Sequence, residues 1–186
     1  MTSLVLIRHA VPQTDPAIPA RRWALSPEGH RRCGPLAEYL RRFTCTTIFS
    51  SDELKALETA EHIAVSHGVP VLADSTLREH ARENVPWMSQ PAFADAVRDL
   101  FARPDELVFG EETATEAQMR FAAGVDRALA ASATTDTLIV THGTVLSLYV
   151  AAATGSDPLR LWQSLGMPAA VVLNLAARQI VEHWNG

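Results

Sequence analysis

Leu4-Val5-Leu6-Ile7 is a continuous apolar run that stops at Arg8-His9, and Thr137 to Thr141 is a second such run that stops at His142-Gly143. Short apolar runs without alternation fit strands buried on both faces. Thr46 to Ser50, Val69 to Ala73, Ala170 to Leu175 and Gln179 to His183 are further strand candidates. Ser26 before Pro27 reads as an N-cap and first helical position, predicting a helix to about Arg42 with a kink or break at Pro35. Leu54, Leu57, Ala60, Ile63 and Ala64 recur at helical spacing within Asp52 to Ser66. Helices are also predicted over Pro91 to Ala102, Thr113 to Ser132, Val145 to Ala153 and Pro158 to Leu165. The fourth of these six opens on a Thr113/Glu116 capping box. Ala10 to Leu25, with Pro12, Pro16 and Pro19, and Asp74 to Ser89 show no period and read as loops.

Strands alternating with helices predict an α/β fold, a three-layer sandwich with a mostly parallel central sheet flanked by helices. In such sheets ligands bind beyond the C-terminal ends of the strands, where both His9 and His142 are expected. The length of 186 residues predicts a single domain over 1–186.

A composition of 47% apolar and 20% charged residues is that of a globular protein. The net charge of −5 weighs against nucleic-acid binding, although a local cation cluster can still hold one anionic small molecule. Two cysteines without CxxC spacing suggest neither a disulfide framework nor a metal site. The start MTSLVLIRHA lacks a signal-peptide pattern, and Thr141, His142, Gly143, Thr144 and Ser147 interrupt the longest apolar stretch, so no membrane span is expected. A soluble, cytoplasmic protein is the expectation. Of 16 cations, 15 are Arg and one, Lys55, is Lys.

Two strand-end histidines, an arginine, a lone lysine and a loop carboxylate are the side chains needed to handle a phosphate. A neutral imidazole attacks phosphorus, cations offset charge on the oxygens, and a carboxyl moves a proton to the leaving group and from water. Glu79 is the candidate carboxyl, with Glu83 in the same loop. His62 and His67 are spaced poorly for one helical face and, with His30, read as surface residues rather than metal ligands. Phe93, Val97, Leu100 and Phe101 read as a core stripe.

These segments resemble the histidine phosphatase superfamily, also called phosphoglycerate mutase-like. LIRHA (Leu6 to Ala10) is similar to its Arg-His-Gly motif, LSPEGHRR (Leu25 to Arg32) to its helix opening, and FSSDELKALETAEHIA (Phe49 to Ala64) to its Ser-x-x-x-Arg-Ala-x-x-Thr-Ala segment. LRE (Leu77 to Glu79), GEET (Gly110 to Thr113) and LIVTHG (Leu138 to Gly143) follow in the family order. The resemblance implies His9 as a transiently phosphorylated nucleophile, Glu79 as proton donor and acceptor, and Arg8, Lys55 and His142 as phosphoryl ligands. It implies no metal and no organic cofactor. The expected activity is a phosphomonoesterase acting on a small phosphorylated substrate or a phosphoprotein. Phosphoglycerate mutase-type transfer and a catalytically impaired phospho-ligand-binding protein are the alternatives.

Three positions depart from the family pattern. Ala10 replaces the glycine after the nucleophile. Asp15 stands where many members have a phosphate-contacting Asn, and an offset alignment would put the Thr14 hydroxyl there instead. Lys55 stands for an Arg, exchanging a planar fork for a point charge. Arg21, Arg22, Trp23 and Trp87 are candidates to line the substrate mouth. No sequence feature bears on oligomeric state.

Overall fold

Residues 2–186, which the computed structural model describes, form six strands and six helices in largely alternating order. They are β1 (Leu4–Arg8), α1 (Pro27–Leu40), β2 (Ile48–Ser50), α2 (Leu54–His67), β3 (Val71–Ala73), α3 (Gln90–Ala102), α4 (Ala114–Ala131), β4 (Thr137–Thr141), α5 (Gly143–Thr154), α6 (Pro158–Ser164), β5 (Ala169–Asn174) and β6 (Gln179–Asn185). The sheet order is β3-β2-β4-β1-β5-β6. The first four strands in this order pair in parallel, and β5 and β6 complete the sheet antiparallel. The expected α/β sandwich with a mostly parallel sheet is what forms.

The two apolar runs are the central strands β1 and β4, and their lack of alternation has a direct cause. Leu4 and Leu6 pack on one face with Phe121, Leu146 and Tyr149, while Val5 and Ile7 pack on the other with Leu36, Leu40 and Ile63. Burial on both faces contributes about 1.5–3 kcal/mol for each of these side chains. Ser26 caps α1 by accepting the Gly29 N–H at 3.0 Å, and Thr113 and Glu116 form the capping box of α4.

Two expectations need correction. α1 runs through Pro35 without the break that was one of the two expected outcomes. Pro35 and Arg31 both lie on the exposed face, where a carbonyl without its helical partner costs less than it would in the apolar core. α5 begins at Gly143, two residues before the predicted start, immediately after His142. Glycine disguises a helix opening in sequence, and here the first helical amides consequently lie beside the strand end. No helix among the described residues is long and apolar enough to cross a membrane.

Candidate active site

Strand register delivers the site. Arg8 lies opposite Thr141 and Ser50 opposite Val140, so His9, His142 and Ser51 leave three adjacent parallel strands at one edge of the sheet. The His9 N–H reaches the Thr141 carbonyl at 3.0 Å and the Ser51 N–H reaches that of Val140 at 2.9 Å, extending the ladder past the strand ends. The two imidazoles stand edge to face with centroids 5.1 Å apart.

His9 is 6% exposed, and its Nδ1 lies 2.7 Å from the Ala10 carbonyl oxygen. A carbonyl only accepts, so Nδ1 carries the proton and Nε2 keeps its lone pair. Burial, with the charges of His142, Lys55 and Arg8, pushes the pKa of His9 well below its ordinary value, so the ring is neutral at neutral pH. Ala10 is fully buried with Leu25 and Cys33, and its N–H donates to Thr59 Oγ1 at 3.1 Å. The methyl that departs from the family glycine is thus packed.

Lys55 sits in the first turn of α2, with its side chain 7% exposed. Its ammonium donates to Glu53 at 2.5 Å and to the Ala20 carbonyl at 2.9 Å, so one of three donors remains uncommitted. Burial lowers the Lys55 pKa, against the pull of Glu53. Glu53 also accepts the Glu79 N–H at 2.9 Å, and its Oε1 lies 3.5 Å from His142 Nε2. That nitrogen is 2.8 Å from the Ser51 hydroxyl. His142 is wholly buried, which together with Lys55 pushes its pKa well below the ordinary value.

The Glu79 carboxylate accepts the amide of His80 at 2.9 Å and, at 3.2 Å each, the amides of Thr144 and Val145 in the first turn of α5. Burial favours its protonated form, but the Arg82 charge, the protonated form of His142 and these amides outweigh it and hold the pKa below the ordinary value. The positive end of the helix acts in the same direction. Arg82 Nη2 is 4.0 Å from Glu79 Oε2, and the Arg82 guanidinium lies 4.7 Å over the Phe93 ring. Arg8 Nη1 donates to the Leu165 carbonyl at 2.7 Å.

Seven buried side-chain nitrogens and oxygens among the described residues lack a partner, and four of them are Arg8 Nε, Arg82 Nη1, His142 Nδ1 and Thr144 Oγ1. Each unsatisfied buried group costs about 1–3 kcal/mol, so their concentration on residues around one strand-end cleft marks a place suited to an anion.

The loop bearing Glu79 is held from behind. Arg120 on α4 donates to the carbonyls of Thr76, Arg78 and Glu79 at 2.8–3.0 Å and pairs with Glu112 at 2.6 Å. Glu112 accepts the Ala81 N–H at 2.8 Å. Gly110 adopts φ +85°, and a Cβ there would stand 2.4 Å from the Ala81 carbonyl oxygen.

Arg8, His9, Lys55, Glu79 and His142 are therefore brought together. Thr14 is exposed without a hydrogen bond, and the Asp15 carboxylate is tied to its own loop by the Ala17 N–H at 2.8 Å. Glu83 is exposed and pairs with Arg21 at 2.8 Å, which leaves Glu79 as the carboxyl of this loop beside the histidines. Trp23 and Trp87 meet edge to face at 5.9 Å, so the two loops touch at the mouth. Arg22 is exposed and lines, with Arg21, Arg78, Asp52, Glu53 and two leucines, an adjoining groove of about 360 Å³. Arg82, Glu53 and Arg120 had no prior signal, whereas Ser51 falls on the serine of the Ser-x-x-x-Arg resemblance but was given no role there. Arg82, three residues after Glu79 in an aperiodic loop, was the one most open to notice. No group of three or more His, Cys, Asp or Glu side chains is arranged to hold a metal among the described residues.

The chain is structurally similar to a phosphoserine phosphatase mutant from Entamoeba histolytica in complex with phosphoserine, at 15% identity and TM-score 0.78, with 98% of this chain and 96% of that chain covered. It is also similar to YhfR of Bacillus stearothermophilus, at 22% identity and TM-score 0.76, covering 97% and 96%. A mycobacterial glucosyl-3-phosphoglycerate phosphatase with VO3 matches at 22% identity and TM-score 0.72, covering 100% and 99%. No curated protein matches. The family model of the Histidine phosphatase superfamily (branch 1) matches residues 4–183, and the chain belongs to that family.

Proposed function

We propose that the protein is a phosphatase that hydrolyses phosphate monoesters through a phosphohistidine on His9, without a cofactor. The observation that carries this reading is the state of His9: a buried, neutral imidazole whose Nδ1–H is given to the Ala10 carbonyl, leaving Nε2 as the nucleophilic atom. Around it stand unpaired donors of the kind that receive phosphoryl oxygens.

In the first step His9 Nε2 attacks phosphorus, the P–N bond forms and the P–O bond to the alcohol breaks, with Glu79 giving its proton to the departing oxygen. In the second, Glu79 takes a proton from water, the water oxygen bonds to phosphorus, and the P–N bond breaks to release inorganic phosphate and restore His9. Glu79 is anionic before substrate arrives, because its pKa lies below the ordinary value. A phosphate dianion raises its affinity for a proton and prepares it for the first step. The same anion favours protonation of His142, which then gives Nδ1–H to a phosphoryl oxygen while Nε2–H stays with Ser51 and Glu53. Arg8 Nε and the third Lys55 donor complete the grip.

The structural relatives named for phosphoserine and glucosyl-3-phosphoglycerate support a small phosphorylated substrate. The test is His9→Ala with an aryl phosphate. Uncatalysed monoester hydrolysis is among the slowest reactions known, with enzymatic accelerations up to about 10²¹-fold, so loss of turnover is expected to be near total. Denaturant-quenched wild type should carry acid-labile, base-stable phosphate. Turnover retained in His9→Ala overturns the reading.

A further inference from the structure

We propose that Arg82 is a further phosphoryl-contacting residue, carried by the same loop as Glu79, and that it couples anion binding to the protonation of that carboxyl. The proposal rests on the roles of His9 and Glu79 given above.

Arg82 has the form of a held but uncommitted donor. Its side chain is 25% exposed, yet Nη1 is buried without a partner. Nη2 lies 4.0 Å from Glu79 Oε2, within ion-pair range but beyond a hydrogen bond. Phe93 supports the guanidinium face at 4.7 Å and takes none of its N–H groups. The charge of Arg82 acts on Arg8, Glu53, Lys55, Glu79, His80 and His142, residues from four different parts of the chain. The other cations are partly committed, Arg8 Nη1 to Leu165 and two Lys55 donors to Glu53 and Ala20.

Charge balance gives the same answer. Arg8, Lys55 and Arg82 against Glu53 and Glu79 leave one positive charge. A phosphate dianion makes the sum one negative, which a single proton, on His142 or on Glu79, offsets. Without Arg82 the sum is two negative in a partly buried cleft, and the dianion is balanced only once both His142 and Glu79 are protonated. As Arg82 turns towards the phosphoryl oxygens its hold on Glu79 weakens, and the carboxyl takes up the proton it later gives away. Glu79 is faced by Arg82 and His80 from its own loop, by Arg8 from β1, by Glu53 and Lys55 from the start of α2, and by His142 with the Thr144 and Val145 amides at α5.

Calorimetric titration of the full chain with inorganic phosphate, and kcat/KM against pH on an aryl phosphate, test this in Arg82→Gln and Arg82→Lys. Arg82→Gln is expected to weaken phosphate binding about ten- to a hundredfold, the worth of one charge-assisted hydrogen bond. It should also move the descending limb of kcat/KM set by Glu79 to higher pH, because the charge that lowers the Glu79 pKa is gone. Arg82→Lys should keep the limb near its wild-type position while binding phosphate more weakly. Phosphate binding within about twofold of wild type in Arg82→Gln, or weaker binding with an unmoved limb, overturns the proposal. Should Arg82→Gln fail to fold, Arg82→Met, which keeps an apolar stem over Phe93, carries the same two readings. A wild-type chain that binds phosphate without turnover ends the phosphatase reading, and the binding arm alone then decides on Arg82.

Discussion

The Thr59 hydroxyl accepts the Ala10 N–H at 3.1 Å and donates to the Lys55 carbonyl at 2.7 Å, so one fully buried side chain ties the turn after His9 to the helix that carries Lys55. Thr59→Val keeps the shape and removes both bonds. It leaves a buried N–H unsatisfied, at a cost of about 1–3 kcal/mol. Thermal unfolding should show the loss, and aryl phosphate turnover should fall with it because the His9 ring loses its fixed orientation. An unchanged melting temperature counts against this link.

Lys55 and Glu53 form a buried ion pair, 7% and 8% exposed in their side chains. Lys55→Met strands the Glu53 carboxylate and should destabilise the fold by about 3–5 kcal/mol. Lys55→Arg keeps Glu53 paired but puts a longer, planar group where a compact ammonium meets the Ala20 carbonyl. Its melting temperature should stay near wild type while kcat/KM falls. Unchanged kinetics in Lys55→Arg would make the lysine incidental.

Acid should destabilise the protein well above the carboxylate range. His9 and His142 have folded-state pKa values well below the ordinary 6.5, so below about pH 6.5 the unfolded chain binds protons that the folded chain does not. Each ring removes up to about 1.4 kcal/mol of stability per pH unit over that window. Glu53 and Glu79, also lowered, add their loss only as pH falls below about 4.5. Urea midpoints from pH 7.5 to 5 should fall steadily, and His142→Gln should flatten the slope.

Arg120 is hydrogen-bonded to none of the histidines among the described residues, yet it spans three carbonyls of the loop bearing Glu79. Arg120→Gln should cost about 1.5–3 kcal/mol, the worth of a charged hydrogen bond, and lower kcat more than it raises KM, since the carboxyl loses its position. Equal kcat in the variant and wild type would show that the loop holds itself.

The parts of the molecule legible in sequence were those governed by local pattern. β1 and β4 declared themselves by unbroken apolar runs ending in Arg8-His9 and His142, and the Thr113/Glu116 cap by its spacing. Those strand ends carry most of the candidate site, which is why its five named residues are legible in the sequence. Glu53, Arg82, Arg120 and the partner of Ser51 were not legible, because their importance lies in contacts far away in the chain. Arg120 meets Glu79 across 41 positions and Ser51 meets His142 across 91, and neither separation leaves a periodic trace. Pro35 misled as to a break for the opposite reason: a local rule gave way on an exposed face, where an unpartnered carbonyl costs least.

Trp23 and Trp87, which join the two loops at the mouth, also make that mouth optically visible. Edge-to-face indoles 5.9 Å apart couple electronically, whereas Trp184 stacks on Tyr39 at the far edge of the sheet and Trp162 packs against Phe93. Parting of the loops breaks the indole couple and leaves the Trp184–Tyr39 stack as it was. The near-ultraviolet circular dichroism of the unlabelled protein is thus a direct gauge of how wide the entrance stands.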